Sequence, residues 1–207
     1  MNSKNKFNYH NLTIYLDEDV YNPAEDTFLI LEFMNIKLGQ DVLEIGTGCG
    51  VIALECVRIG ANVICTDINS KSIELTRKNI KNNNSLLKGK IEIRHGNLFE
   101  PIKKNELFDV IIFNPPYLPT SEHERLNSPI NYAFDGGESG LDTTIKFISK
   151  LKKYLKSEGR AYFVFSSLSD RKKLEFELSK NNFLYEVVGS YLFDDEHIDL
   201  YLITPKN

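Results

Sequence analysis

Cysteine is scarce in this sequence, and its spacing excludes the common roles of clustered cysteines. The 207 residues contain three, Cys49, Cys56 and Cys65. Gaps of seven and nine residues fit neither a Cys-x-x-Cys zinc pair nor an even disulfide framework. We therefore expect free thiols that pack as small apolar groups, and no metal site.

Long apolar runs, linkers and an excess of basic residues are also missing. Nowhere do 18 apolar residues follow one another, and the N-terminal stretch lacks a signal-peptide core, so we expect a soluble, cytoplasmic protein. A net charge of -4 and a pI near 5.6 give no overall attraction to phosphate backbones or membranes. Without a repeat or linker, residues 1–207 are expected to form one domain, and the Asn-rich stretch 81–90 only a polar turn.

What is present is an alternation of short apolar runs with helix-period segments. This order is typical of an α/β fold in which a mostly parallel sheet carries helices on both faces. Two β-rich runs near the C-terminus predict a closing antiparallel hairpin. The predicted strands are 41–45, 62–66, 91–94, 108–113 and 160–165, and the predicted helices are 51–60, 70–82, 141–156 and 171–180.

A glycine-rich turn follows the first predicted strand. Gly46, Gly48 and Gly50 alternate in EIGTGCG, but Val51 breaks the dinucleotide fingerprint. Asp67 ends the second strand 21 residues beyond Gly46, where an acidic residue meets ribose hydroxyls in nucleotide-binding βαβ units. Each feature alone is weak, and their joint spacing favours a nucleotide-like ligand at the carboxyl ends of the strands.

The stretch FNPPYLP, residues 113–119, stops the fourth strand abruptly. Pro115 and Pro116 fix the backbone, so the side chain of Asn114 and the carbonyl of Pro115 can point at one spot. Both groups accept hydrogen bonds, and a planar NH₂ group has two N–H donors to give. Tyr117 supplies a flat face for stacking. The pattern indicates a site for a planar nitrogen.

A polar cluster precedes the first strand, in VYNPAEDTFLILEFM. Asn22, Pro23 and Glu25 form a capping-box pattern that predicts a helix beginning at Pro23. Asp26 and Thr27 add polar groups to a helix whose remainder is apolar. A wall or lid over a site would use the same layout.

Together, EIGTGCG, the strand-ending Asp67 and FNPPY resemble the class I S-adenosylmethionine-dependent methyltransferases that modify planar nitrogens. VYNPAEDTFLIL and FDGGESGLD (134–142) narrow the resemblance to the HemK-like protein-(glutamine-N5) methyltransferases of peptide-chain release factors, in their short form without an N-terminal helical domain. The resemblance covers about residue 20 to the C-terminus. It implies a Rossmann-like fold with a seven-stranded sheet, an N-terminal segment and lid helix over 1–38, and a catalytic core over 39–207.

The resemblance also implies a substrate, a cofactor and site residues. The acceptor would be the glutamine of the GGQ motif in a class 1 release factor, and S-adenosylmethionine would be converted to S-adenosylhomocysteine. Asn114, Pro115, Pro116 and Tyr117 would clamp the acceptor amide. Asn97 departs from the Asp usual in the family, although its carbonyl can still accept from adenine. The residues expected to contact the cofactor are Thr27, Glu44, Gly46, Thr47, Gly48, Gly50, Asp67, Ile68, Asn97, Leu98 and Asn114.

Other interpretations stay open at this point. An exocyclic amine of adenine or guanine in RNA or DNA presents the same planar NH₂ group, although an acidic chain lacks the basic groove that base flipping needs. A catalytically silent partner-binding module is a second alternative.

Short members of the family that this sequence resembles act with a small zinc-binding activator, which would pair with the edge of strand 91–94. The long connection 118–140 is expected to contact the macromolecular substrate.

Overall fold

The computed structural model describes residues 5–120 and 135–206. Its strands are β1 (Lys6–Tyr9), β2 (Leu12–Tyr15), β3 (Asp41–Ile45), β4 (Asn62–Asp67), β5 (Ile91–His95), β6 (Phe108–Phe113), β7 (Leu155–Ser166), β8 (Phe183–Leu192) and β9 (His197–Pro205). Its helices are α1 (Glu25–Phe33), α2 (Val51–Ile59), α3 (Ser70–Asn83), α4 (Asp142–Leu151) and α5 (Arg171–Lys180), with a 3₁₀ turn over Asn84–Leu86.

Seven strands form one sheet in the order β5-β4-β3-β6-β7-β9-β8. Strands β3 to β7 pair in parallel, and β9 pairs antiparallel with both β7 and β8. The predicted parallel sheet with a closing antiparallel hairpin is thus confirmed. From β3 the chain continues to β4 on one side, while β6 lies on the other side. Such a switch opens a crevice at the carboxyl ends of the strands.

Both faces of the sheet are covered, because successive side chains of a strand point to opposite faces. Val42 and Val110 belong to one apolar cluster, which includes residues of α1, α2 and β2. Leu43 and Ile111 belong to the other, which includes residues of α4 and α5. Strand β6 is buried along most of its length, as its uniformly apolar sequence predicted.

The helix predicted over 141–156 is wrong in its last five residues, 152–156. Helix α4 ends at Leu151, and Leu155 already pairs with Phe108 in the sheet. Lys156 Nζ reaches carboxylates at the start of two neighbouring strands, Asp41 and Asp109, at 2.8 Å each. Leu155 fits the apolar face of a helix and the inside of a strand equally well, and these strand contacts decide between them.

The predicted capping box at the first helix is also wrong. Helix α1 begins at Glu25, and its N-cap position is Ala24, without a side-chain cap. The residues before Ala24 are not helical. This start leaves Asp26 in the first turn, where its carboxylate accepts hydrogen bonds from Thr27 of the same turn, from Tyr21 and from the distant Asn114.

The hairpin of β1 and β2 was not predicted from the sequence. Leu12 and Ile14 of β2 are fully buried against the core. The Asn-rich stretch 81–90 is more than a polar turn, since Asn83 closes α3, is 2% exposed and bonds the backbone of Thr13 in this hairpin.

All three cysteines are free and buried, as expected. Burial raises the pKa of the Cys49 thiol to about 12, so the group is inert at neutral pH. Within residues 5–120 and 135–206, no helix is long and apolar enough to cross a bilayer. The same residues include no cluster of three or more His, Cys, Asp or Glu side chains that could hold a metal ion.

Candidate active site

A cavity of about 620 Å³ lies in the crevice between β3 and β6, at the carboxyl ends of the parallel strands. The turn after β3 forms one wall, the residues after β4 and β5 form the second, and the segment after β6 forms the third. The start of α1 covers part of the opening, so Thr27 also faces the cavity. The volume is sufficient for a nucleoside-sized ligand.

The glycine turn after β3 depends on backbone conformations that other residues rarely adopt. Gly48 has φ 55° and Gly50 has φ 84°. A Cβ atom on Gly50 would lie 2.8 Å from Cγ2 of Thr76, which leaves no room for one. Gly46 and Gly48 line the cavity, whereas Gly50 lies behind the turn against α3. The two inner glycines therefore let the backbone approach a ligand, and Gly50 lets the turn pack on the helix.

Asp67, at the end of β4, is fixed by backbone donors. Its Oδ2 accepts from the amide of Gly48 at 2.9 Å, and its Oδ1 accepts from the amide of Asn69 at 2.8 Å. Burial raises the pKa of this carboxyl, and the two backbone donors oppose that shift. Each oxygen has further acceptor capacity, so the group can receive ligand hydroxyls from the cavity side.

Glu44, at the end of β3, is 2% exposed. Burial raises its pKa from 4.5 to about 8, although a hydrogen bond from Thr47 Oγ1 to Glu44 Oε2, 2.6 Å long, opposes the shift. The nearby charge of Asp67 raises the pKa further. Glu44 is therefore mostly protonated at neutral pH and can donate as well as accept hydrogen bonds.

Asp26 joins the start of α1 to the opposite wall of the cavity. Its Oδ2 accepts hydrogen bonds from the hydroxyl of Tyr21 at 2.9 Å, the amide of Asn114 at 2.9 Å and the hydroxyl of Tyr117 at 3.1 Å. Its Oδ1 accepts from the backbone and hydroxyl of Thr27. The side chain is 2% exposed. A buried carboxylate is tolerated because these donors replace its water.

The hydrogen bond to Asp26 determines how the Asn114 amide is turned. A carboxylate only accepts, so the NH₂ group of Asn114 must face Asp26 and the Oδ1 atom must face away. Asn114 Oδ1 is buried and is the one such side-chain atom of the described chain without a hydrogen-bond partner. Leaving a buried acceptor unsatisfied costs about 1–3 kcal/mol. Because Asn114 lines the cavity, this unpaired acceptor is a candidate partner for a ligand N–H group.

Tyr117 follows the two prolines and is fixed by hydrogen bonds at its hydroxyl and at its backbone carbonyl. Its hydroxyl donates to Asp26, and its backbone carbonyl accepts from Ser169 Oγ at 2.9 Å. Burial and the charge of Asp26 raise the pKa values of Tyr117 and Tyr21, so both phenols remain donors. Pro115 and Pro116, which also line the cavity, add no N–H donors.

The structure brings nearly all the predicted site residues to this one cavity. Leu98 adopts φ 48°, an unusual conformation outside glycine, and Asn97 is exposed at the rim. The lining includes Thr27, Glu44, Gly46, Thr47, Gly48, Asp67, Ile68, Asn97, Leu98, Asn114, Pro115, Pro116 and Tyr117. Gly50 is the exception among the predicted cofactor residues.

Tyr21 was not predicted, and Asp26 was expected only as part of the segment 23–26 that covers the cofactor, not as a partner of Asn114 and Tyr117. The dense polar cluster at the start of an otherwise apolar helix marked Asp26 as unusual, but no local pattern indicated its partners 88 and 91 positions away. Of the connection 118–140, residues 121–134 lie outside the described chain.

No histidine reaches the cavity among the residues that the structure describes. His10 contacts Glu55, His95 bonds the carbonyl of Ile68, and His197 contacts Arg171. His123 lies outside the described residues.

The mouth of the cavity combines acidic and apolar surface. A second cavity adjoins the first and shares Pro23, Glu25 and Phe193 with it. Leu192 is 84% exposed at its edge. Glu25, Asp135 and Glu196 line the first cavity, and its described lining includes no Lys or Arg.

Comparison with known sequences identifies the chain's relatives. Residues 22–190 match the methyltransferase small domain family. A Methanocaldococcus jannaschii protein assigned as a protein N5-glutamine methyltransferase is 40% identical over 85% of this chain and 87% of its own length. A release factor glutamine methyltransferase of Clostridium acetobutylicum is 30% identical over 74% of this chain, which covers 58% of that protein.

Solved structures show the same fold at low identity. The Mtq2–Trm112 complex of E. cuniculi, described as methylating the termination factor eRF1, contains a chain with TM-score 0.68 and 23% identity. The match covers 91% of this chain and 99% of that one. The T. thermophilus 16S rRNA methyltransferase RsmC, solved with AdoMet and guanosine, matches 98% of this chain and 50% of its own, with TM-score 0.67 and 17% identity.

The raised pKa of Glu44 predicts a pH-dependent stability that Glu44→Gln removes. Between pH about 4.5 and about 8 the folded state keeps the proton and the unfolded state loses it, so the free energy of unfolding falls as pH rises. The slope is up to about 1.4 kcal/mol per pH unit, and the stabilisation is fully present below pH about 4.5.

Urea unfolding of the parent and Glu44→Gln between pH 5 and pH 9 would measure this difference. The introduced amide cannot titrate and can still accept from Thr47, so the parent should lose stability relative to the variant as pH approaches about 8. Parallel pH profiles for the two proteins would contradict a raised pKa.

Proposed function

We propose that this chain, which belongs to the HemK-like family of protein-(glutamine-N5) methyltransferases, methylates the side-chain amide nitrogen of the glutamine in the GGQ motif of a class 1 release factor. The methyl donor is S-adenosylmethionine and the product is S-adenosylhomocysteine. The observation that carries this proposal is the buried, unpartnered Asn114 Oδ1, an acceptor that awaits an N–H donor.

The cavity fits the proposed cofactor on several counts. The Asp67 carboxylate is placed for two ribose hydroxyls, and the turn of Gly46 and Gly48 admits close approach of the amino-acid part. Asn97 and Leu98 stand where the adenine would lie, and Thr27 closes the cavity from α1. These positions support a domain in which residues 1–38 supply the cover and residues 39–207 the catalytic core.

Asn114 and Pro115 align the acceptor amide. The two N–H groups of a glutamine side chain would donate to Asn114 Oδ1 and to the carbonyl of Pro115, while the ring of Tyr117 stacks on the amide plane. Such a geometry turns the nitrogen lone pair toward the donor. Alignment alone lowers the barrier of a two-substrate reaction by as much as about 7–11 kcal/mol.

Positive charge develops on the amide nitrogen as the N–C bond forms. The bound cofactor supplies an electrophilic sulfonium methyl group. The oxygens of Asn114 and Pro115 stabilise this positive charge directly by accepting hydrogen bonds from the nitrogen. The carboxylate of Asp26 increases the stabilisation, because its hydrogen bond polarises the Asn114 amide. After transfer the nitrogen releases one proton to solvent, so no dedicated base is needed. Asp26 is thus a positioning residue, and Asn114 a catalytic one.

Charge at the mouth favours a protein acceptor over a nucleic acid. Glu25, Asp135 and Glu196 line the cavity, whose described lining includes no Lys or Arg, and their carboxylates would repel a phosphate backbone. The adjoining cavity is bordered by Phe28, Tyr191 and Leu192, and such apolar surface suits a polypeptide. An RNA or DNA amine remains the second candidate, because its planar NH₂ group would satisfy Asn114 equally well.

The activities of the relatives support the choice of acceptor and of a partner. Release factor methylation is the named activity of the clostridial relative, and eRF1 methylation that of the E. cuniculi complex. That complex contains a second protein, Trm112, and we propose a small zinc-binding activator for this chain at the free edge of β5. Release factors act at ribosomes, so the proposed location is the cytoplasm.

Substitution of Asn114 by Ala should separate chemistry from cofactor binding. Loss of the aligned acceptor should lower kcat by about 10²–10³-fold, while the Kd for the cofactor, which Asn114 is expected to contact together with ten other residues, changes less than about twofold. Single-turnover methyl transfer and calorimetric cofactor titration measure the two quantities. A large loss of cofactor affinity would contradict the role given to Asn114.

Asp26→Asn should weaken the same step indirectly. An Asn at position 26 can donate as well as accept, so it no longer forces the NH₂ group of Asn114 toward itself and Oδ1 toward the substrate. We therefore expect kcat to fall about tenfold or more at unchanged cofactor affinity. Glu32→Gln is the matched control, since Glu32 lies on the same helix with an exposed carboxylate that binds Tyr191. Equal kcat values for Asp26→Asn and Glu32→Gln would refute the positioning role.

The acceptor itself is tested by mass spectrometry of a class 1 release factor incubated with this protein and S-adenosylmethionine, with and without the candidate activator. We expect one methyl group on the GGQ glutamine and none on a release factor with Gln replaced by Ala. Cofactor binding without methylation under both conditions would redirect the search to RNA or another protein. Absence of cofactor binding would leave the silent-module interpretation.

A further inference from the structure

Helix α3 (Ser70–Asn83) passes behind the glycine turn and presents two buried polar side chains to it. Thr76 Oγ1 donates to the carbonyl of Gly48 at 3.1 Å, and Asn79 Nδ2 donates to the carbonyl of Cys49 at 2.8 Å. Both side chains are 0% exposed. Since Asp67 holds the Gly48 amide, the peptide groups on both sides of Gly48 are fixed by side chains from outside the turn.

Asn79 also binds the N-terminal hairpin. Its Oδ1 accepts from the backbone amide of Tyr15 at 2.9 Å, and its second Nδ2 hydrogen bond goes to the carbonyl of Tyr15 at 3.0 Å. One amide therefore serves strand β2 and the glycine turn together. Neither Thr76 nor Asn79 lines the cavity, so any effect on a ligand must pass through the turn.

Asn83, one helical turn further on, is a natural control for Asn79. Its side chain makes the same two backbone hydrogen bonds to Thr13, both at 2.9 Å. Asn79 and Asn83 can bond Tyr15 and Thr13 in the same way because the two spacings are similar. One helical turn rises about 5.4 Å, and two residues of a strand span about 6.7 Å. The remaining N–H of Asn83 donates to the carbonyl of Asn79 within α3 and not to the turn.

We infer that Thr76 and Asn79 are positioning residues for the cofactor, which they affect by holding the carbonyls of Gly48 and Cys49; this inference rests on the cofactor proposed above. A turn with three glycines at positive φ has many alternative conformations when nothing fixes it. Losing one of its hydrogen bonds would let the turn leave the binding conformation, and binding would have to restore it.

Calorimetric titration of S-adenosylhomocysteine into Asn79→Ala and Asn83→Ala tests the inference without any acceptor. Both variants should lose similar thermal stability, because each loses the same pair of bonds to β2. Only Asn79→Ala should raise the Kd for S-adenosylhomocysteine, by about tenfold, with Asn83→Ala within about twofold of the parent. In a separate assay with the methyl acceptor, the two variants should have the same kcat at saturating cofactor.

Thr76→Val is the second variant, because it keeps the shape of the side chain and removes only the donor to Gly48. It should raise the same Kd several-fold while the protein remains folded at the temperature of the titration. Unchanged Kd values in Thr76→Val, or equal increases in Asn79→Ala and Asn83→Ala, would overturn the inference and leave the proposed function intact. Failure of the parent to bind would overturn both.

Discussion

The buried carboxylate of Asp26 is the constraint on which the acceptor side of the site depends. A charged group away from water is costly unless donors surround it, and the donors here come from the segment before α1 and from the end of β6. Satisfying one charge therefore ties two distant parts of the chain together. The same bonds that make its burial tolerable also determine which way Asn114 and Tyr117 face.

The unsatisfied oxygen of Asn114 is the counterpart of that constraint. A fold selected only for stability would pair this atom or replace it with an apolar group, because a lost hydrogen bond in the interior is destabilising. Its retention is explained if an acceptor amide completes the bond during each catalytic cycle. On this interpretation, the unpaired oxygen lowers the stability of the free protein slightly and is available to bind the substrate.

The proposed cofactor side of the site differs in the groups that form its surface. There the ligand-facing surface is largely backbone, which glycine makes accessible but does not fix. Rigidity comes from Asp67 on one side and from α3 on the other, and the N-terminal hairpin shares the Asn79 amide with the turn. Each half of the proposed site therefore contains a buried polar side chain, Asp26 or Asn79, that fixes the orientation of a neighbouring group at the cavity.

The local sequence determined the order of strands and helices, the glycine turn, Asp67 at the end of β4 and the abrupt stop at Asn114, because periodicity and proline stereochemistry act within a few residues. It also supported the resemblance that led to the family. Element ends were less well determined: Leu155 suits a helix or a strand, and only its partner Phe108 decides.

Tertiary structure alone decided the roles of Asp26, Asn79 and Asn83. A carboxylate or amide in a helix has many possible partners, and local sequence does not state which backbone or side chain will reach it across 30 to 90 positions. The sequence therefore placed the groups that would touch a ligand, since they follow strand ends. The groups that orient them were fixed only when folding brought α1, α3 and the hairpin against the same crevice.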